Sequence, residues 1–128
     1  MDSASKPYDI RERVFAFACN VIKAYPRAHL DTASHKVWAQ LIASSTSSGA
    51  HLEEAAAGGS RAQFLALNRG ALREMRESNY WLRILIATQL HHFRHVPPLL
   101  NESRELVAIL STIVRRTYEN SPKPERRS

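Results

Sequence analysis

With 128 residues, 44% of them hydrophobic and 23% charged, the chain has the size and composition of one ordinary domain, which excludes a disordered polyelectrolyte and a disulfide-dependent miniprotein. Its one cysteine, Cys19, excludes an intramolecular disulfide and a multi-cysteine zinc site, and fits a buried, inert thiol in a reducing, cytoplasmic setting. The formal net charge of +6 lies wholly in the second half, because residues 1 to 60 balance six basic side chains against six acidic ones while residues 61 to 128 hold twelve against six.

Residues 1 to 7 show no pattern and are expected to be disordered. From Tyr8 to Tyr25, Asp9 reads as an N-cap and Ile10, Val14, Phe17 and Val21 recur at spacings of four, three and four, which predicts a helix closed by Pro26. Asp31 offers a second cap, followed by Val37, Trp38, Leu41 and Ile42. The segment "ASSTSSGA", Ala43 to Ala50, has the composition of a linker, but its periodicity predicts a continuing helix. Val37, Leu41, Ser44, Ser45, Ser48, Leu52 and Ala55 then share one face, and the serines form a seam whose hydroxyls bond back to carbonyls four residues earlier. "AGGS", Ala57 to Ser60, marks the end of that helix.

Ser60 and Gln63 make a capping box for a third helix, whose core face is Phe64, Leu67, Ala71, Met75, Ser78, Leu82 and Leu85, running to about Leu90. Pro97 and Pro98 are read as a break, and a fourth helix is expected from Glu102 to Glu119 around Leu106, Ile109, Leu110, Ile113 and Val114. Residues 120 to 128 read as a basic, flexible tail. The fold class is therefore all-α, an antiparallel up-down-up-down four-helix bundle spanning residues 8 to 119. No apolar run approaches the ~20 residues that span a bilayer, so no membrane partner is expected.

The runs "LIASSTSSGAHLEEAAAGGSRAQFLALNRGALREMRESNYWLRILI" and "LLNESRELVAILSTIVRRT" resemble a bacterial four-helix-bundle family. That family includes proteins encoded in intervening sequences of large-subunit ribosomal RNA genes and the accessory protein of diversity-generating retroelements. The likeness covers about Tyr8 to Tyr118 and is most specific in "ALREMRESNYWLRIL" and "ELVAILSTIV". In the second helix Ser47 and Glu54 match the family pattern and Leu52 is a conservative change, whereas Ser48, Gly49 and His51 stand where the family carries an apolar residue, a proline and an asparagine. The resemblance implies a four-helix bundle assembled into a ring-like homo-oligomer, typically a pentamer. For the retroelement branch alone it also implies DNA or RNA binding, with a reverse transcriptase as partner; most members have no assigned function. It carries no catalytic activity and no cofactor.

The residues themselves point the same way at one place. A helical count from Phe64 at ~100° per residue puts Arg61, Arg69, Arg73, Arg76 and Arg83 within a stripe about 120° wide, with Tyr80 among them. Arg73 alone has an acid at helical spacing, Glu77, and the three central arginines lie three and four residues apart, where they repel. Either carboxylates such as Glu53, Glu54, Glu102 and Glu105 from neighbouring helices or subunits compensate the stripe, or phosphates do. Its rise of ~33 Å is close to one turn of duplex. Tyr80 would stack on an unpaired base, and Trp81 packs near the core. Arg115, Arg116, Lys123, Arg126 and Arg127 could lengthen the basic surface.

Enzyme chemistry finds no inventory. No glutamate is followed three residues later by a histidine, as a di-iron bundle requires, the serine run lacks a strand-turn-helix elbow, and "AGGSR" is too short for a phosphate loop. His91 and His95 have ligand spacing, but Pro97 follows and no further ligand joins them, so neither a metal nor another cofactor is expected.

Overall fold

The computed structural model describes residues 9–27, 30–88 and 94–122. Its elements are α1 (Ile10–Ala24), α2 (Thr32–Ala56), α3 (Arg61–Thr88) and α4 (Val96–Glu119), with no strand among the described residues. The protein is all-α, and no described helix is long and apolar enough to cross a membrane. The expected disorder of residues 1 to 7 lies outside the described residues, as do Leu90, His91 and the tail from Lys123 onward.

Local chemistry sets most helix ends. Asp9 Oδ1 accepts the backbone N–H of Glu12 at 3.2 Å, and Asp31 Oδ1 that of Ser34 at 2.7 Å, each supplying a partner that the first turn of a helix lacks. Pro26 forces Tyr25 out of helical geometry, to ψ 123°, and α1 stops there. Gly58 and Gly59 adopt φ of +116° and +121°, a region closed to most side chains, and turn the chain from α2 into α3. Ser60 Oγ accepts from Gln63 N at 3.1 Å while Ser60 N donates to Gln63 Oε1 at 2.9 Å, the reciprocal box anticipated from spacing.

Three expectations are corrected. Pro97 and Pro98 do not break the chain ahead of a helix at Glu102; they occupy the first positions of α4, which begins at Val96. Proline lacks only an N–H that would find no helical partner in that turn, and its fixed φ suits a helix start. Phe64 is not a core residue but 40% exposed. It borders a shallow pocket with Ile10, Leu52, Asn68 and Ile113, at the end of the bundle where α1 begins and the helix stack stops. Cys19 is partly exposed rather than buried.

The core draws on all four helices, with Phe17, Trp38, Leu41, Met75, Leu82 and Leu106 fully buried. Between α2 and α3 the packing is polar as well as apolar. Ser44 Oγ and Ser78 Oγ lie 2.7 Å apart, and Ser48 Oγ donates to the Ala71 carbonyl at 2.8 Å, so two helices are joined through side chains of minimal volume. Ser44 and Ser45 also bond back to carbonyls, three residues earlier rather than the four expected. Gly70 faces the His51 ring so closely that an added Cβ would stand 3.1 Å from Nε2. Further pairs tie the remaining helices: Arg11 to Glu53, Tyr25 to His35 and Trp38, Asn79 to Ser103, and Arg13 to Glu102 and Glu105.

The Arg13 cluster clamps α1 to α4. Its guanidinium meets Glu102 with two bonds, of 2.6 and 3.2 Å, and Glu105 with one of 3.2 Å. Hydrogen bonding to Glu102 raises the Arg13 pKa from its ordinary value, partly offset by burial, so the group stays charged. Arg13→Ala strands two carboxylates and is expected to cost about 1–2 kcal/mol, read as a lower urea midpoint at unchanged slope. An unchanged midpoint would show that the clamp contributes nothing.

Candidate nucleic-acid interface

The stripe lies on α3, a helix of 28 residues whose buried side is Asn68, Ala71, Met75, Ser78, Leu82 and Leu85, with Gly70 and Leu72 at its edges. Because that side packs on α2 and α4, the opposite arc must face outward. Arg61, Arg69, Arg73, Arg76 and Arg83 are all exposed, as is Tyr80 at 49%. The structure thus brings every residue read from the helical count onto one outer face.

Two of the five arginines engage their own chain. The Arg61 guanidinium donates to the Asn120 carbonyl, and the Arg69 guanidinium lies 5.5 Å from the centre of the Tyr118 ring, a cation–π geometry. Both contacts hold the C-terminal end of α4 against α3. Arg73, Arg76 and Arg83, by contrast, form no ion pair or hydrogen bond among the described residues. Glu77 does not pair with Arg73 despite its spacing.

Of the four carboxylates considered for neutralising the stripe within the chain, three are used elsewhere, while Glu54 is exposed and forms no ion pair among the described residues. Glu53 bonds Arg11 at 3.5 Å, and Glu102 and Glu105 bond Arg13. By the same count from Phe64, Glu74 and Glu77 fall at about 280° and 220°, outside the arginine arc. A count from Leu106 along α4 places Arg104 and Arg115 at about 160° and 180°, on the side of Tyr118 at about 120°, and Glu102 and Glu105 on the other flank. Arg104, Arg115 and Arg116 are exposed. Arg116 falls at about 280°, on the flank of Glu102 and Glu105, so Arg104 and Arg115 are the α4 bases on the side of Tyr118.

Two members of this surface escape sequence reasoning. Tyr118, 55% exposed, and Arg104 become part of it only through the register of α4 against α3, which no local spacing encodes. Trp81 packs against the core as expected, and its ring lies 5.1 Å from Tyr80 in an edge-on arrangement. Its buried indole N–H has no hydrogen-bond partner among the described residues. His95 stands at the N-cap of α4 beside Arg94, and the described residues contain no group of three or more potential metal ligands.

Another groove lies between α1 and α4, where Phe17, Pro98 and Leu99 meet Lys23, His95 and the Arg13–Glu102 pair. It is separate from the stripe.

Fold and surface together define a small four-helix protein with one strongly basic outer face. Among solved structures it is similar to a protein of unknown function from the S23 ribosomal protein family of Bacteroides thetaiotaomicron VPI-5482, with a TM-score of 0.70 and 27% sequence identity over 83% of this chain and 98% of that one. No protein-family model and no curated protein matches the chain.

Proposed function

We infer that the protein is a non-enzymatic, cytosolic accessory factor that binds nucleic acid through the outer face of α3, as a homo-oligomer of up-down-up-down bundles. One observation carries this reading: Arg73, Arg76 and Arg83 are exposed and meet no carboxylate among the described residues, while Glu53, Glu102 and Glu105 are committed to Arg11 and Arg13. Three cations on one helix face, Arg73 and Arg76 among them at repelling spacing, are unfavourable in isolation and favourable beside a polyanion. The ribosomal family named for its structural neighbour fits a phosphate-bearing partner, RNA in the first instance.

The topology is supported by contacts that run in opposite order along successive helices, as in Ser44 to Ser78 and Ser48 to Ala71 between α2 and α3. Self-association is supported by Phe15 and Ile22, 64% and 40% exposed and seven residues apart on one flank of α1. A ring of such subunits, a pentamer by the family resemblance, would repeat the stripe and add avidity to weak contacts. In the rival reading the unpaired arginines meet carboxylates of a neighbouring subunit, and the protein is an interaction scaffold.

Titration against labelled duplex DNA and structured RNA tests the binding reading. With about five phosphate contacts, affinity for duplex should be micromolar or tighter at about 50 mM salt and fall about 500-fold by about 200 mM. No binding at the lower salt would overturn it.

A further inference from the structure

The basic face carries two exposed aromatic rings as well as its arginines, and a phosphate-tracking surface for duplex has no use for them. Tyr80 and Tyr118 are 49% and 55% exposed. Each is held by a neighbour, Tyr80 edge-on against Trp81 at 5.1 Å and Tyr118 beneath the Arg69 guanidinium at 5.5 Å. Supported rings of this kind lose little freedom when a flat partner stacks on them. Bases inside a duplex are already stacked on each other and present only edges and phosphates outward, whereas unpaired bases present whole π-faces.

Spacing along α3 puts phosphate binders between the two platforms. Arg69, which rests on Tyr118, precedes Tyr80 by eleven residues, a rise of about 17 Å, and Arg73 and Arg76 lie in that interval. Both arginines are exposed and unpaired among the described residues. The arrangement is aromatic, cationic, cationic, aromatic, the alternation that single-strand binders use to hold backbone and bases at once.

Resting on the nucleic-acid reading above, we propose that the ligand of this face is single-stranded: bases stack on Tyr118 with Arg69 and on Tyr80, while the intervening phosphates meet Arg73 and Arg76. The experiment compares a fluorescently labelled oligouridine of about 15 nucleotides, within the usual single-strand site size, with the same strand annealed to its complement, both at about 50 mM salt. The single strand should bind about tenfold more tightly. Tyr80→Leu and Tyr118→Leu should each weaken it about fivefold or more while leaving duplex binding within about twofold, because stacking acts only on unpaired bases. Tyr80→Phe and Tyr118→Phe keep the ring and should keep the affinity, and the unfolding midpoint of each variant establishes that the fold is retained. Equal or tighter binding of the duplex, or leucine variants that bind single strand as the parent does, would overturn the stacking proposal and leave nucleic-acid binding standing. Failure of both probes to bind would overturn the two together.

Discussion

A protein carrying Arg73→Glu, Arg76→Glu and Arg83→Glu is expected to lose nucleic-acid binding by at least about a hundredfold at low salt while folding as the parent does. The three replacements change the formal net charge from +6 to zero and place anions where phosphates would lie. Removing three phosphate contacts should also flatten the dependence of log affinity on log salt by about 2 for single strands, an effect that general damage to the protein would not mimic. Stability should move by less than about 0.5 kcal/mol, because these side chains are exposed and bond to nothing among the described residues. Arg61 and Arg69 are left alone for the opposite reason, since they hold Asn120 and Tyr118. Sedimentation of the same variant separates the two readings of the stripe. An unchanged particle that no longer binds supports a ligand surface; a particle that falls apart places the missing carboxylates on the neighbouring subunit and overturns the binding reading.

That choice of residues rests on the structure, and it shows where sequence stops being informative. Helix existence is legible because each core contact repeats at three or four residues, and caps are legible because Asp9, Asp31 and the Ser60–Gln63 pair act on N–H groups three positions away. The serine run is legible once its phase matches that of Leu41 and Leu52. The start of α4 is not, because a proline pair disfavours a helix interior and favours a helix beginning, and composition does not say which applies. Nor is the exposure of Phe64, since periodicity reports an arc of the helix and not where the neighbouring helices end.

The same limit governs the site. That five arginines share an arc is a property of one helix and can be counted. Which of them is free is a property of four helices, because Arg13 reaches Glu102 across 89 positions and Arg61 reaches Asn120 across 59. Only register shows that Glu53, Glu102 and Glu105 meet Arg11 and Arg13 of α1 and that Tyr118 arrives beneath Arg69.

Register in turn depends on how closely α2 and α3 approach, and Ser48→Leu is expected to be the most damaging single change along that seam. Ser48 is fully buried, and its hydroxyl spans to the Ala71 carbonyl at 2.8 Å, a distance that leaves no room between the helices for the three carbons leucine carries in place of that oxygen. The larger side chain must force off-rotamer packing or push α3 outward, and it removes the hydrogen bond, a combined cost of about 2–4 kcal/mol. For a domain of this size that is a fall in Tm of about 10 °C. Ser48→Ala removes the hydrogen bond without adding volume and should cost only about 1 kcal/mol. The ordering of the two variants is the informative result. If leucine is tolerated as well as alanine, the helices are not held at the separation their serines define, and the register that brings Arg69 onto Tyr118 loses its basis. If leucine is the worse by a clear margin, steric closeness rather than hydrogen bonding sets the spacing. The apparent linker composition of α2 is then what fixes the basic face on α3 and α4.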